Sequence, residues 1–447
     1  MSATLSIAKI GEPGLRESEP LEGNYFVAVY PPFSAWKASQ CRNLQEALGR
    51  PAPEGAPLGI YVHVPFCQKK CDFCYYLSFI RQPASVVDRY LDCMVDEMAR
   101  YAGQPAVEGR EVAFVYFGGG TPSTLSRDQI SRLGRGMHGA LAWAGQPEVT
   151  FECAPRSVGR RFLDGLRELG VTRLSMGVQS FDDSLLKLNG RVHLVEDVLR
   201  ARQLIRDAAF GWLNLDLMVG LMGETWESWE NSVRRMIELD PESVTIYQTE
   251  IPHNTQLYRD FKDGNLPAEP VSWEVKRERL KYAFEALRNA GYTTVNGYAA
   301  VKDPEAHRFV YQDHLWRGGD MLGLGVASFG YLGGVHYQNH VTLDAYQSAV
   351  ESGELPINRA LALGERDQLI REFILQLKFG EVSVPAFQSK FGIDIAGILR
   401  RPLEGLVAEG FATVSKSRIQ LTPDGLLRVD RLLPRFFDRA YQNTRYT

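Results

Sequence analysis

From residue 58 onward the chain alternates between two hydrophobic patterns. Short runs of aliphatic, β-branched or aromatic residues are each followed by a turn and then by a longer stretch with apolar positions at helical spacing. The runs at 58–64, 112–117, 148–153, 172–178, 213–219 and 243–249 predict strands. The stretches at 85–101, 127–142, 159–169, 194–208 and 226–239 predict the helices between them. Six strand–helix units in a row predict an α/β fold with a parallel sheet that curls into a full or partial barrel of (β/α)6 type. An open doubly wound sheet is the competing arrangement.

The pattern changes on either side of this series. Residues 1–57 form an irregular extension broken by Tyr30-Pro31-Pro32 and Pro51-Ala52-Pro53, with one helix expected near 36–48. A helix is expected at 273–290, and the glycine- and aromatic-rich stretch 292–337 is expected to hold short closing strands. Helices at 366–378, 384–391 and 397–409, then strand-like pieces at 412–414 and 419–421, suggest a winged-helix-like α+β module. It reads as a structural cap, because no basic recognition helix is visible. The domain division is therefore 1–57, a barrel at 58–310, a substrate-side connecting region at 311–363, and the module at 364–447. Arg431, Arg435, Arg439 and Arg445 are interleaved with apolar residues and read as one amphipathic helix.

Composition narrows the class. The chain has 447 residues, of which 45% are hydrophobic and 23% charged, which excludes a disordered or collagenous chain. The net charge of -4 gives no overall electropositive field, so neither nucleic acid nor an anionic membrane is expected as partner. Residues 1–20 show no basic region followed by an apolar core, and no run approaches the ~18 apolar residues of a membrane helix. A soluble, cytoplasmic protein is expected.

The six cysteines are too few for a disulfide framework in a chain this long, and three are bunched as Cys67, Cys71 and Cys74. This C-x3-C-x2-C loop follows the first strand. Three thiolates suit three corners of a cubane [4Fe–4S] cluster and leave one iron open for a substrate. Structural zinc takes four protein ligands, commonly as two separated pairs, and no second C-x2-C exists here. Zinc and unligated core cysteines remain the alternatives. After the second strand comes Gly118-Gly119-Gly120-Thr121-Pro122-Ser123, where glycines let backbone amides approach a ligand or simply make a tight turn. Glu152, Gln179, Asp216 and Glu250 lie in or just after later strands, and polar groups at that end of barrel strands line the ligand mouth. A carboxylate within Leu215-Asp216-Leu217 is costly to bury alone, so a salt bridge, cation or ligand should satisfy it.

The cysteine loop resembles that of the radical S-adenosylmethionine superfamily. That resemblance implies that the open iron binds S-adenosylmethionine and that its cleavage yields a hydrogen-abstracting 5′-deoxyadenosyl radical. Tyr61-Val62-His63-Val64-Pro65-Phe66-Cys67, Phe117 to Ser123, Arg173 to Phe181, Asp216 to Leu221 and Leu322 to Phe329 look, in this order, like the oxygen-independent coproporphyrinogen III oxidase family. The similarity runs from about Asn24 to Phe437. It implies two S-adenosylmethionine molecules. Tyr61, Phe73, Gly119, Glu152, Glu250 and Phe329 would line the cluster-bound one, and Gly120 and Thr121 would lie between the two. Gln179, Arg191 and Asp216 would hold the second. Tyr76, Gln179 and Glu250 are the candidate catalytic residues. An electron donor such as flavodoxin or ferredoxin is implied, with an aromatic or unsaturated small molecule as substrate. The decarboxylating oxidases carry a further cysteine two residues after the third ligand, and Tyr76 stands there in this chain. In that respect the loop looks more like the class C methyltransferase and cyclopropanase branch. The resemblance therefore implies methyl or methylene transfer first, with porphyrinogen decarboxylation or heme chaperoning as alternatives.

Overall fold

Each predicted strand run forms a strand, and the six align in chain order. The computed structural model describes residues 19–23, 25–143 and 145–442. Its parallel core is β1 (Leu58–Val64), β2 (Val112–Gly119), β3 (Glu148–Cys153), β4 (Arg173–Gln179), β5 (Leu213–Val219) and β6 (Ser243–Gln248). Helices Ala84–Ala102, Arg127–Ala140, Arg160–Leu169, Val195–Asp207 and Trp226–Glu238 make the crossovers. Their starts are set locally. Ser126 accepts from the Gln129 amide while the Gln129 side chain returns to Ser126 N, a reciprocal cap on the second of these helices.

The strands are two-faced. Ile60, Val62, Val115, Phe117, Phe151, Leu174, Met176, Leu215, Leu217 and Ile246 are almost fully buried on the helix-covered face. Alternate positions carry Tyr61, His63, Tyr116, Thr150, Glu152, Arg173, Ser175, Asn214, Asp216, Thr245 and Tyr247. Parallel strands covered on both faces read as unbroken apolar runs. Period-two polarity here leaves the concave face to carry chemistry.

The remaining strands extend the sheet at both edges. β7 (Thr293–Thr294) and β8 (Ala299–Val301) add antiparallel strands beside β6. β9 (Met321–Leu324) pairs parallel with β1, and β10 (Phe329–Leu332), β11 (Val335–Asn339) and β12 (Ile357–Ala362) continue antiparallel beyond it. The sheet runs from β12 to β7 without pairing its edges, so the barrel is partial and not closed. The segment 311–363, read from sequence as a connection, supplies four of these strands.

The C-terminal module pairs β13 (Glu381–Ser383), β14 (Ala412–Val414) and β15 (Arg418–Leu421) in the order β13-β15-β14. It packs them with helices Glu365–Leu377, Val384–Phe391, Ile395–Ile398 and Arg400–Ala408 around Phe373, Phe387, Leu403, Leu406 and Ile419. This is the winged-helix-like arrangement.

Three expectations need correction. The single helix at 397–409 is two, broken at Leu399, with Pro402 in the first turn of the second. The helix at 36–48 is helical only over Cys41–Leu48, after two 3-10 turns. The arginine-bearing tail is not one amphipathic helix. Pro434 confines it to the one-turn helix Val429–Leu432 and the 3-10 turns Leu433–Phe436 and Arg439–Tyr441. Its arginines serve ion pairs instead, Arg435 with Glu409 at 2.5 Å and Arg431 with Glu19 at 3.7 Å. Arg445, Asn24 and nearly all of the 1–20 segment lie outside the described residues. Among the described residues no helix is long and apolar enough to cross a membrane.

Candidate active site

The cysteine loop leaves β1 at Pro65 and is closed at its base by the parallel pair Phe66–Cys67 and Phe79–Ile80. Two neighbouring loops hold it. Gly120 donates its N–H to Val64 O at 2.9 Å, and Thr121 N donates to Phe66 O at 2.9 Å. A Cβ at Gly120 would stand 2.8 Å from the Pro65 carbonyl carbon, so only glycine permits this approach. The Asn189–Arg191 turn closes from the other side, where Gly190, at φ +74°, lies too near the Asp72 carboxylate to carry a side chain. Arg191, a surface turn residue on local pattern alone, reaches inward. Its Nη1 donates to Cys71 Sγ at 3.1 Å and its Nη2 to Gly177 O at 3.1 Å. Thr121 Oγ1 lies 3.3 Å from Cys67 Sγ.

Cys67, Cys71 and Cys74 are free thiols, all partly exposed on this one loop, whereas Cys93 and Cys153 are buried in the core. Burial pushes the Cys74 thiol up to about 11 and raises that of Cys67. Their thiolate forms therefore need nearby positive charge, which metal coordination supplies. Among the described residues no three His, Cys, Asp or Glu side chains converge as ligands of a single metal ion. Three soft donors on one loop, with a guanidinium at one sulfur and a hydroxyl at another, fit three corners of an iron–sulfur cluster.

The polar strand ends surround this loop. Glu152 accepts from Tyr116 O–H at 2.6 Å and from Gly119 N at 3.3 Å, and burial raises its pKa. Asp216 accepts from Asn214 Nδ2 at 2.7 Å. Among the described residues no salt bridge meets it, and burial, reinforced by Glu152, pushes its carboxyl up to about 7 against the charges of Arg173 and Arg191. Gln179 sits at φ +70°, a strained value for a residue with a side chain, at the β-bulge that ends β4. Its Oε1 is buried without a partner. Glu250 follows β6 and accepts from Phe26 N at 2.5 Å, while its Oε2 is buried without a hydrogen-bond partner among the described residues. Burial pushes this carboxyl up to about 7 as well. Tyr61 hydrogen-bonds His63 Nδ1 at 3.3 Å and stacks against Tyr116 and Phe329. Tyr76 is 48% exposed and stacked on Tyr75 with ring centroids 4.6 Å apart. Phe73 is the exception among the predicted residues, since it packs in a small apolar cluster with Met222, Ile251 and Leu257.

Two residues here, Tyr116 and His63, were not among the candidate site residues. Tyr116 holds Glu152. His63 fills the space that makes Gly119 a glycine, since a Cβ there would lie 2.6 Å from its ring. Burial lowers the His63 pKa to about 4 and keeps the ring neutral. The signal was present in the sequence. Both residues occupy the polar register of strands whose other register is apolar.

Comparison with known proteins agrees with this geometry. The model of the Radical SAM superfamily matches residues 61–236, and that of the HemN C-terminal domain matches residues 363–428. The oxygen-independent coproporphyrinogen III oxidase of Salmonella typhimurium is 30% identical over 389 residues, covering 83% of this chain and 84% of that protein. This chain belongs to the oxygen-independent coproporphyrinogen III oxidase family of radical S-adenosylmethionine enzymes. The heme chaperone HemW of Bacillus subtilis is also similar, 28% identical over 372 residues, covering 82% of this chain and 96% of that one. The solved structure of coproporphyrinogen III oxidase (HemN) from Escherichia coli, a radical SAM enzyme, superposes with a TM-score of 0.80 at 27% identity. That superposition covers 92% of this chain and 96% of the other. Family membership implies a [4Fe–4S] cluster and S-adenosylmethionine. These relatives are oxidases and a chaperone, which turns the balance from the methyl-transfer expectation toward oxidation.

Proposed function

We propose that this chain is a radical oxidase acting on a porphyrinogen-type substrate, with oxidative decarboxylation of coproporphyrinogen III as the reaction to test first. One observation carries this reading. Likeness to the oxidases extends through the barrel, the lead-in and the C-terminal module, with 92% of the chain superposed, and is not confined to the radical-forming barrel. When bound, the cluster and S-adenosylmethionine supply a hydrogen-abstracting carbon radical.

The chain's own residues bind, orient and shield. Cys67, Cys71 and Cys74 would hold the cluster, and the Arg191 guanidinium lies against one of its sulfur ligands. Gly119 and Glu152 would seat the first S-adenosylmethionine, with Tyr61 and Phe329 as an aromatic wall, and Gly120 and Thr121 would lie between the two molecules. Gln179, Arg191 and Asp216 would seat a second beside it, an arrangement that provides proximity. The buried oxygens of Gln179 and Glu250, without partners among the described residues, are acceptors available to a ligand's N–H or O–H groups. Tyr76, with Tyr75, would face the substrate.

A second reading is methyl or methylene transfer to an sp² carbon. Tyr76 favours it, because the decarboxylating oxidases are expected to carry cysteine at that position. Anaerobic turnover with coproporphyrinogen III separates the two. Carbon dioxide and protoporphyrinogen IX, with 5′-deoxyadenosine, support the oxidase. S-adenosylhomocysteine release with an unsaturated substrate, and no carbon dioxide, supports the transferase. Tight heme binding without S-adenosylmethionine cleavage would replace both with a chaperone role.

A further inference from the structure

The opposite end of the sheet holds a second polar chamber. The cysteine loop follows the C-terminal end of β1. Arg173 opens β4 and Ser243 opens β6, at the N-terminal ends of parallel strands. A cavity of about 240 Å³ lies there and reaches the surface beside the exposed Arg308. That is smaller than the ~300–1,000 Å³ typical of drug-sized ligand pockets, so it suits a small molecule and not a tetrapyrrole.

Arg173 is its central feature. The residue is 4% exposed, and its guanidinium lies over the rings of Phe309 at 4.0 Å and Trp212 at 5.1 Å. It makes no salt bridge or hydrogen bond among the described residues, and Nε and Nη1 are wholly buried without partners. Glu148 on the neighbouring strand feels its charge but makes no direct contact with it, its oxygens accepting from Thr150 Oγ1 and Val310 N. Nearby carboxylates offset its charge, but buried N–H donors without acceptors are costly to maintain, and the planar fork matches a carboxylate. The rim repeats the sign. Arg308 and Arg317 also line the cavity, against one carboxylate, Asp313, to which both are paired.

We propose that this cavity is a binding site for a small organic carboxylate, held edge-on by Arg173. Asn214 is part of its wall. Asn214 Oδ1 accepts from Ser243 at 2.9 Å and Thr245 at 3.0 Å, and its Nδ2 donates to Asp216. Asn214 thus touches both the cavity and a carboxylate of the candidate active site.

The test is equilibrium dialysis of the reconstituted holoenzyme against radiolabelled succinate, at ionic strength fixed with sodium chloride. Saturable binding of one succinate is expected. Arg173→Gln should weaken it roughly tenfold or more, the loss of one charge-assisted contact. Arg317→Gln, at the rim, should weaken it less while keeping the fold, and it carries the test if Arg173→Gln does not fold. No saturable binding, equal affinity in wild type and the folded variants, or tighter binding of inorganic phosphate in competition would each overturn the proposal. Because binding is read directly, the result does not depend on which reaction the enzyme performs.

Discussion

Asp216 stands in mid-strand with one hydrogen bond from Asn214 and, among the described residues, no salt bridge; its burial favours the neutral acid, outweighing the charges of Arg173 and Arg191. With its folded pKa raised to about 7, the folded state binds more protons than the unfolded chain between about pH 4 and 7. Its contribution to stability is therefore lost as pH rises through that window and stays lost above it. Asp216→Asn keeps an acceptor for Asn214 and removes the charge. Above pH 7 the apoprotein variant should be more stable than wild type by about 1–2 kcal/mol in urea denaturation, with no gain at pH 4. The same substitution should reduce bound S-adenosylmethionine in the holoenzyme from two molecules to one. A gain in stability with a loss of ligand is the signature of a group kept for function. At Arg191 the contact with Cys71 Sγ gives a different expectation. Arg191→Ala should leave iron and sulfide content intact but move the cluster's reduction potential to more negative values in a spectroscopic redox titration, because a donor to a cluster sulfur is lost. Cys71→Ala should lose the cluster itself.

At the scale of elements, the parallel core was legible because each strand and helix carries its own periodicity. The edge strands β7 to β12 were only glimpsed, as short closing strands. They have two to six residues each, and partners distant in sequence define them. The tail misled because its periodicity was helical while Pro434 forbids a continuous helix. In the site, the ligand loop was legible from spacing. The Arg191–Cys71 and Phe26–Glu250 contacts join residues 120 and 224 positions apart, and no local pattern announces them. Helix Ala84–Ala102 shows a similar long-range device. Its Glu97 is fully buried and accepts from Asn339 Nδ2 at 2.6 Å, Gly325 N at 2.8 Å and Tyr346 O–H at 2.7 Å, tying the helix to β11 and the turn after β9. All three partners donate to the carboxylate, so Glu97→Gln, which replaces one acceptor oxygen by an N–H, should cost about 1–3 kcal/mol. Burial raises the Glu97 pKa to about 7. Wild-type stability should therefore fall as pH rises from about 4 to 7, and that part of the slope should vanish in the variant. An unchanged slope in paired urea titrations would show that Glu97 titrates normally.

At the scale of the whole molecule, one buried cation joins three parts of the chain to the site. Lys378 follows the helix Glu365–Leu377 of the C-terminal module and pairs with Asp430 at 2.9 Å, both side chains at most 2% exposed. Its Nζ also donates to Val27 O in the lead-in at 2.6 Å, and it lies 3.8 Å from the Phe26 ring centroid. Asp430 in turn accepts from Val27 N and from Tyr298 O–H beside β8. The same lead-in segment presents Phe26 N to Glu250. The C-terminal module therefore does more than cap the barrel, since it fixes the segment that orients a carboxylate of the candidate site. Replacing one member of a buried pair strands the other charge, so Lys378→Met should cost about 3–5 kcal/mol in denaturant unfolding. The double variant Lys378→Met/Asp430→Leu removes the stranded charge and should recover much of that loss. The two variants also separate stability from positioning. Even where the double variant regains stability, the contacts of Asp430 with Val27 and Tyr298 are gone. Its affinity for S-adenosylmethionine should then stay below wild type, because the lead-in no longer holds Glu250. Full recovery of both stability and affinity would show that the pair contributes packing alone and that Glu250 is oriented by its own strand end.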